Sequence, residues 1–330
     1  MPAEWERQSA VQLTWPHKDT DWAPMLDEIT AVYEQMAAEI SKRERLIVVD
    51  DIPTNDTWAR DHGFITVEEK SVPRPHTKGG VDMLLLDFKF NGWGEKFPAE
   101  LDNAINHQLF DRMVATDHPF PFLHSQLPKY ESHLDFVLEG GSIESDGKGT
   151  IFTTACCLLA PHRNQPLTQQ DIEERLKEWL GAERVVWLQH GGLTGDDTDG
   201  HIDTLVRICP QDTILYVGCD DTDDEQYTEL KLMEQELQEL RTLDGKPYRL
   251  LRLPMPRPIY DDGERLPATY ANYLVINDAV LYPTYGQPDH DDQARGIIQQ
   301  AYPDREMVGI DCRAVIRQHG SLHCCTMQYY

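Results

Sequence analysis

A strand–strand–helix–strand pattern that recurs along the chain restricts its fold more than any other feature. Short apolar runs that are typical of strands flank helical segments in pairs. The clearest pairs are residues 149–154 with 184–188, 212–217 with 249–253, and 278–283 with 306–310. A recurrence at roughly 60 to 65 residues indicates an architectural repeat, and about five such units fit in this length.

Helices are predicted where apolar residues recur about every 3.6 positions. In residues 225–243, for example, Leu230, Met233, Leu237 and Leu240 follow this period. The other predicted helices cover residues 22–43, 98–114, 168–180 and 291–301.

The first unit is marked by helix 22–43 and by strands at residues 46–49 and 63–67, and the second, across residues 83–122, is the least clear. A ring of such units would form a propeller, although a conventional blade has four strands and no helix. An ordinary α/β sheet with helices between its strands fits the same periodicity. The repeat alone leaves both α/β architectures open.

Composition indicates one globular unit. With 330 residues, 40% of them hydrophobic, the chain can bury a large core. No apolar run approaches the ~20 residues that span a bilayer, and residues 1–7 lack the features of a signal peptide. We therefore expect a single domain over residues 1–330, located in the cytoplasm and not in a membrane. Four of the seven cysteines are sequence neighbours, which suits reduced thiols better than a disulfide framework.

The formal net charge of -27 argues against nucleic-acid partners, because such a surface repels phosphates. A cationic substrate would be attracted. Alternatively, the negative charge serves only to keep the protein soluble.

The segment at residues 55–63 carries Asp56, Trp58, Arg60 and Asp61 in a loop between two strands. A carboxylate can pair with the edge of a planar cation while an indole covers its face. The alternative is a surface loop whose Asp and Arg pair with each other.

A second candidate is Glu139, which stands at the end of an apolar run and before Gly140 and Gly141. Paired glycines are expected where a buried carboxylate sits beside closely approaching backbone. A plain hairpin or bulge explains the glycines but not the Glu.

The third segment contains His201 and Asp203. If His201 opens a strand, the two side chains project from one face. Together with His323 and Cys324 they could form a zinc set, but the chain has no Cys-x-x-Cys pair. We therefore favour a metal-free acid/base role and predict no metal and no cofactor.

The fourth segment holds two adjacent thiols, Cys324 and Cys325, preceded by His323. A cysteine with a distant His can supply the nucleophile and acid/base group of cysteine-based group transfer. A buried thiol is, however, commonly only a small hydrophobe. In a strand, Cys325 would face away from Cys324.

Four motifs combine these residues: Trp58-x-Arg60-Asp61-x-Gly63, Leu138-Glu139-Gly140-Gly141-Ser142, Asp199-Gly200-His201-x-Asp203 and Leu322-His323-Cys324. Their order and intervals resemble the agmatine deiminase family of guanidine-modifying enzymes, which includes the bacterial-type peptidylarginine deiminases. The N-terminal Met1-Pro2-Ala3-Glu4-Trp5 and Thr14-Trp15-Pro16 resemble that family too. The similarity therefore spans essentially the whole chain.

The resemblance implies a five-bladed α/β propeller, the pentein fold, built of repeated ββαβ units, and a hydrolase that deiminates a guanidinium through a covalent thiouronium. At the matching positions Cys324 resembles the nucleophile and His201 the general acid/base. Asp61 and Asp203 match the carboxylates that grip the guanidinium. Glu139 matches the acidic residue that supports the His, and Trp58 is expected to line the pocket.

The chain departs from the family just before Cys324. Agmatine deiminases usually carry Gly-Gly-Gly-Asn-Ile-His-Cys, whereas this chain has Gln318-His319-Gly320-Ser321-Leu322-His323-Cys324. Because that loop abuts the substrate in the family, the difference bears on the substrate tail. Agmatine, converted to N-carbamoylputrescine and ammonia for putrescine synthesis, is the preferred substrate.

Peptidyl-arginine or another guanidine is the alternative substrate. A non-catalytic binding propeller is a further alternative, which the joint presence of all five site residues argues against. The sequence leaves the oligomeric state open, with a homodimer as the usual default. It also leaves open the roles of Asp56, Asp197, Asp199, His319, His323 and Cys325, and for His323 simple packing is expected.

Overall fold

Five three-stranded sheets with one shared topology make up the architecture. The structure is a computed structural model that describes residues 1–70, 81–115 and 128–330. Its strands are β1 (Ala10–Thr14), β2 (Arg45–Val49), β3 (Ile65–Lys70), β4 (Val81–Lys89), β5 (Lys129–Val137), β6 (Ile143–Ser145), β7 (Thr150–Thr154), β8 (Arg184–Leu188), β9 (Val206–Cys209), β10 (Thr213–Val217), β11 (Arg249–Leu253), β12 (Tyr260–Asp261), β13 (Glu264–Arg265), β14 (Leu274–Ile276), β15 (Ala279–Thr284), β16 (Glu306–Asp311) and β17 (Thr326–Tyr329).

Eight α-helices connect or flank these strands in the described part of the chain. They are α1 (Leu26–Ser41), α2 (Ala59–His62), α3 (Gly92–Glu95), α4 (Ile105–Ala115), α5 (Ala155–Leu158), α6 (Gln169–Leu180), α7 (Tyr227–Glu239) and α8 (Pro288–Ala301). Short 3₁₀ turns lie at Ala23–Met25, Asp102–Ala104, Gly140–Ser142, Ile202–Thr204 and Val315–Gln318. No described helix combines the length and the apolar character that crossing a bilayer requires.

Each three-stranded sheet pairs its central strand antiparallel with one neighbour and parallel with the other, and β12 and β13 form a separate antiparallel pair. The strand orders are β17-β1-β2, β3-β4-β5, β6-β7-β8, β9-β10-β11 and β14-β15-β16. A long helix separates the two parallel strands in every case, because a parallel connection needs a crossover. These are the five ββαβ units of the predicted α/β propeller. The prediction that residues 1–330 form one domain stays a prediction.

The C-terminal strand closes the first unit. β17 pairs antiparallel with β1, with Ala10 opposite Tyr329 and Leu13 opposite Thr326. The first unit therefore takes one strand from each end of the chain. The prediction that residues 63–67 belong to this unit is wrong, because β3 pairs with β4 and opens the second unit.

The other predicted elements are present with small differences at their ends. Helix 98–114 divides into a 3₁₀ turn and α4, and helix 225–243 shortens to Tyr227–Glu239. Of the predicted second unit, residues 116–122 lie outside the described part of the chain.

Local signals explain where the elements form. Thr168 caps α6 and forms a capping box with Asp171, an arrangement worth about 1 kcal/mol, and the left-handed Gly181 ends the helix. The central strands β1, β7 and β10 are buried at every position, which is why they read as mostly apolar runs and not as alternating ones.

Candidate active site

The predicted site residues come from the connections that lead into the first strand of each unit. Asp61 lies in α2 before β3, and Glu139 lies before β6. Asp203 lies before β9, and Cys324 lies before β17. The fifth connection places Asn272 before β14. Equivalent points of all five units therefore contribute a polar side chain.

Three of these connections meet around Gly141. A Cβ atom built on Gly141 would lie 2.6 Å from Nδ1 of His201, 3.0 Å from Oδ1 of Asp61 and 3.1 Å from Oδ2 of Asp203. The Gly141 N–H also donates to Asp61 Oδ1 at 3.0 Å. A side chain here would displace the predicted site residues, which is the physical reason for the second glycine after Glu139.

The prediction that His201 and Asp203 share the face of a strand is wrong. Ile202–Thr204 forms a 3₁₀ turn, and the strand begins only at Val206. The turn places both side chains beside Gly141, although strand alternation does not apply to them.

The two carboxylates are held differently. Asp61 Oδ2 accepts a hydrogen bond from the indole Nε1 of Trp93 at 2.9 Å, and burial raises the pKa of Asp61. Asp203 Oδ2 accepts from His323 Nδ1 at 2.7 Å, whereas its Oδ1 is buried and has no protein partner. Burial tends to raise the pKa of Asp203, but the hydrogen bond and charge of His323 outweigh it and the pKa lies below its usual value.

His201 is fully buried and neither ring nitrogen has a hydrogen-bond partner. Its Nδ1 lies 3.7 Å from Asp61 Oδ1. Because a buried polar group without a partner is costly, the free imidazole is expected to serve a ligand or a reaction.

Glu139 lies close to His201, and Arg163 fixes its carboxylate. A carboxylate oxygen of Glu139 lies within 4.8 Å of a His201 ring nitrogen. Arg163 Nε donates to Glu139 at 3.0 Å, and its Nη1 donates to Asp199 at 2.7 Å. Both side chains of the Glu139–Arg163 pair are fully buried.

Cys324 is 5% exposed and lies against Asp203. Its Sγ is 3.9 Å from Asp203 Oδ2. The backbone N–H groups of His323 and Cys324 donate to Asn272 Oδ1 at 3.1 and 3.3 Å, which fixes the turn that carries the thiol. Burial raises the pKa of Cys324 well above its usual value, and the carboxylates of Asp203 and Asp61 add to the effect.

Cys325 faces a different environment. The two cysteines lie in a turn and not in the strand that we predicted, since β17 begins at Thr326. Cys325 is fully buried against Tyr33, and burial raises its pKa to about 12. It is a thiol of the hydrophobic core.

A cleft leads to Cys324. Trp58, Trp93 and Phe97 form aromatic parts of its wall. A Cβ atom on Gly320 would overlap the indole of Trp58. The aromatic wall therefore requires a glycine at residue 320, the one residue of 318–321 that keeps the usual family glycine.

Acidic residues also line the cleft. Asp21, Asp56 and Asp197 do so, in addition to Asp61. Burial raises the pKa of Asp56 to about 6 and also raises that of Asp197. His319 Nδ1 lies 3.1 Å from Asp197 Oδ2, so the His that replaces a family glycine pairs with a carboxylate at the rim.

Two groups of potential metal ligands occur among the described residues. They are Glu139 with Cys157 and His201, and Glu4 with Glu144 and His323. Arg163 pairs with the carboxylate of the first group, and Arg207 pairs with both carboxylates of the second. Because a guanidinium already pairs with the carboxylates of each group, neither suits a metal cation.

Sequence reasoning missed Trp93, Arg163 and Asn272. Trp93 carried a signal, since it stands between Gly92 and Gly94, and all three adopt positive φ. Arg163 and Asn272 carried none, because their partners lie at least 24 residues away in the chain.

Comparisons with known proteins find relatives over nearly the whole length of the chain. The sequence model of a family described as Porphyromonas-type peptidyl-arginine deiminases matches residues 1–329. The agmatine deiminase of Medicago truncatula is 30% identical, with 99% of this chain and 95% of the relative covered.

Solved structures show the same relationship. A Porphyromonas gingivalis protein provisionally named arginine deiminase is 47% identical, with a TM-score of 0.88 over 100% of this chain and 97% of that one. A cysteine-to-serine variant of the C. jejuni agmatine deiminase, with substrate bound, is 36% identical, with a TM-score of 0.87 over 100% of this chain and 95% of that one.

Proposed function

The chain belongs to the Porphyromonas-type peptidyl-arginine deiminase family, and we propose that it hydrolyses agmatine to N-carbamoylputrescine and ammonia through a covalent intermediate on Cys324. This reaction makes it a hydrolase of a carbon–nitrogen bond in a linear amidine and serves putrescine synthesis. The names of its relatives from Medicago truncatula and C. jejuni support the assignment.

The observation that carries the proposal is the joint position of Cys324, Asp203 and Asp61 at the end of an acidic cleft. The thiol lies 3.9 Å from one carboxylate, and both carboxylates approach Gly141. This arrangement suits a guanidinium, whose N–H groups pair with carboxylates along its edges.

Binding of the cation also prepares the nucleophile. The buried thiol of Cys324 has a raised pKa, to which the charges of Asp203 and Asp61 contribute. A guanidinium held between these carboxylates offsets part of their negative charge and brings a positive charge beside the sulfur. Substrate binding therefore favours the thiolate that must attack.

His201 moves the protons. It accepts the Cys324 proton as sulfur attacks the guanidinium carbon, and then returns it to the departing nitrogen. The carbon–nitrogen bond breaks and ammonia leaves a thiouronium cation on Cys324. Glu139, held by Arg163, maintains a negative charge beside the imidazole while it is protonated.

Water completes the cycle. His201 accepts a proton from the water that attacks the thiouronium carbon, the carbon–sulfur bond breaks, and the sulfur leaves with the pair of electrons. The imidazole returns that proton to the thiol. The proton lost by the thiouronium as it becomes a neutral ureido group converts ammonia to ammonium, so atoms and charges balance.

The cleft lining supports agmatine over arginine. Agmatine carries a terminal amine in place of the α-amino acid group of arginine. Asp21, Asp56 and Asp197 line the cleft, whereas no Lys or Arg lines its described part. The net charge of -27 also favours a cation.

Arginine derivatives are the second candidate. The 47% identity to the Porphyromonas gingivalis protein exceeds the 36% identity to the C. jejuni agmatine deiminase, and a further relative, 39% identical, is provisionally named a peptidyl-arginine deiminase. For an arginine derivative to bind, the cleft would need a group that pairs with the arginine carboxylate or with a peptide backbone.

Release of ammonia and of ureido product, measured for agmatine, free arginine and a blocked arginyl peptide at matched concentration, tests the proposal. We expect agmatine to have the highest kcat/KM. A preference for arginine or the peptide would keep the thiol chemistry and overturn the substrate. No turnover of any of the three would overturn agmatine deimination and favour another guanidine or a binding role.

A further inference from the structure

His323, the residue before the proposed nucleophile, lies between two carboxylates. Its Nδ1 is 2.7 Å from Asp203 Oδ2, and its Nε2 is 2.9 Å from Glu4 Oε2. The residue is 1% exposed. Carboxylates only accept, so both contacts are hydrogen bonds when both ring nitrogens donate, as in the imidazolium cation.

Glu4 belongs to the N-terminal segment, yet its carboxylate is firmly held. Its Oε1 accepts from the backbone N–H of Val275 at 3.0 Å and from Gln328 Nε2 at 2.9 Å. Its Oε2 also accepts from Arg207. Burial opposes the charged form, but Arg207 and then His323 outweigh it, so the pKa of Glu4 lies well below its usual value.

Arg207 connects this carboxylate to the fold. Its Nε donates to Glu144 at 2.7 Å and its Nη1 donates to the backbone oxygen of Ala271 at 3.0 Å. The Arg207 side chain is 1% exposed. Glu4 is therefore fixed by β6, β9 and the segment before β14, and this rigid setting fixes His323 in turn.

The consequence for the reaction lies in the two oxygens of Asp203. Oδ2 is occupied by His323, whereas Oδ1 is buried without a partner. Rotation of the carboxylate would cost the charge-assisted hydrogen bond to His323. His323 thus fixes Oδ2, the oxygen that lies 3.9 Å from Cys324 Sγ, while Oδ1 keeps its full capacity to accept a hydrogen bond.

We infer that Glu4 and His323 are positioning residues that fix the Asp203 carboxylate, charged and correctly rotated, for a guanidinium. The inference rests on the proposed role of Asp203 in cation binding but not on agmatine as the substrate. It also gives the N-terminal Met1-Pro2-Ala3-Glu4-Trp5 motif a function, because Glu4 contacts His323, which in turn contacts Asp203.

The test compares alkylation of Cys324 by 2-chloroacetamidine, a planar cation, and by 2-chloroacetamide, its neutral analogue. In both reactions the thiolate displaces chloride and forms a thioether. The ratio of the two rate constants reports how well the site grips a cation. Peptide mapping by mass spectrometry assigns the reaction to Cys324, and kcat and KM for agmatine are measured in parallel.

The variants are Glu4→Gln, which removes the charge and keeps the size, and His323→Gln. Glu6→Gln is the matched control, because Glu6 lies in the same segment and its Oε1 accepts from the Ala3 N–H. We expect the amidine-to-amide ratio to fall about tenfold in Glu4→Gln and about 10- to 100-fold in His323→Gln, and to stay unchanged in Glu6→Gln.

A structural role alone would lower both rate constants together and leave the ratio unchanged. A wild-type ratio in either folded variant would therefore overturn the inference. If Glu4→Gln does not fold, His323→Gln decides. If the wild type turns over no agmatine but its ratio still depends on Glu4 or His323, the proposed substrate fails and the positioning role stands.

Discussion

The indole nitrogen of Trp93 donates a 2.9 Å hydrogen bond to Oδ2 of Asp61. Gly141 donates to the other oxygen, Oδ1, at 3.0 Å. Asp61 is thus held by an aromatic residue of the second unit and by the backbone that leads into the third. Trp93 both lines the cleft and orients a carboxylate proposed to bind the substrate.

Replacing Trp93 with Phe should lower kcat/KM for agmatine about tenfold or more. The aromatic wall remains, but Asp61 loses one hydrogen bond, and such bonds to charged groups contribute about 1.5–3 kcal/mol. Trp187→Phe is the matched control, because Trp187 also donates to a carboxylate, that of Glu173, at 3.2 Å. Equal losses in both variants would contradict the predicted role.

Cys324→Ser should lower kcat about 10⁴-fold or more, whereas Cys325→Ser should keep it within about threefold. Cys324 lies in the cleft, and Cys325 lies in the core against Tyr33. Product release and the mass of a trapped covalent adduct measure the difference. An adduct on Cys325 would show that Cys325 is the nucleophile and would contradict the assignment of Cys324.

Alkylation of Cys324 in the substrate-free protein should depend on pH. Burial raises the pKa of the Cys324 thiol well above the usual thiol value of about 8.5, so in the substrate-free protein the thiol keeps its proton at that pH. The rate with 2-chloroacetamide should therefore still rise above that pH. Rate profiles between pH 6 and 10 test this, and a plateau by pH 8 would show that the free site already holds a thiolate.

The preference for a terminal amine should weaken as the pH falls through about 6. Burial raises the pKa of Asp56 to that value, so its charge is present above pH 6 and lost below it. The measurement is the ratio of kcat/KM for agmatine to that for butylguanidine, which lacks the amine, since the effect of the thiol cancels in this ratio.

Asp56→Asn should remove this pH dependence. The variant is needed because burial raises the pKa of neighbouring Asp102 to about 7, near the same range. An unchanged pH profile in Asp56→Asn would show that another group causes the effect.

The raised pKa of Asp56 also affects folding stability. The folded state binds the Asp56 proton more tightly than the unfolded state, so this group lowers stability as the pH rises from about 4 to about 6.

Arg163→Met should destabilise the fold by about 3–5 kcal/mol and reduce turnover. It leaves the fully buried Glu139 carboxylate without its cation. Urea unfolding measures the stability change. Arg313→Met is the control, since the Arg313–Asp311 pair is exposed and such pairs contribute at most about 1 kcal/mol. Similar losses in both variants would contradict the prediction.

Local pattern was sufficient for the units in the second half of the chain. The runs at residues 212–217 and 249–253 coincide with β10 and β11; β10 is buried at every position and is therefore mostly apolar, whereas β11 keeps two Arg among its Leu residues and is only partly buried. The closure of the first unit was not predicted. Thr326 and Leu13 pair across more than 300 residues, and neither sequence indicates its partner.

The sequence by itself determined the repeat and most of its helices and strands, and it indicated candidate side chains for the proposed site, because periodicity and residue chemistry are local properties. Only the tertiary structure decided how those side chains act. It replaced the expected strand at His201 with a 3₁₀ turn and gave Asp61 and Glu139 their partners Trp93 and Arg163. It also gave His323 two carboxylates where packing alone was expected. These contacts depend on how five connections converge, and no single stretch of sequence encodes that convergence.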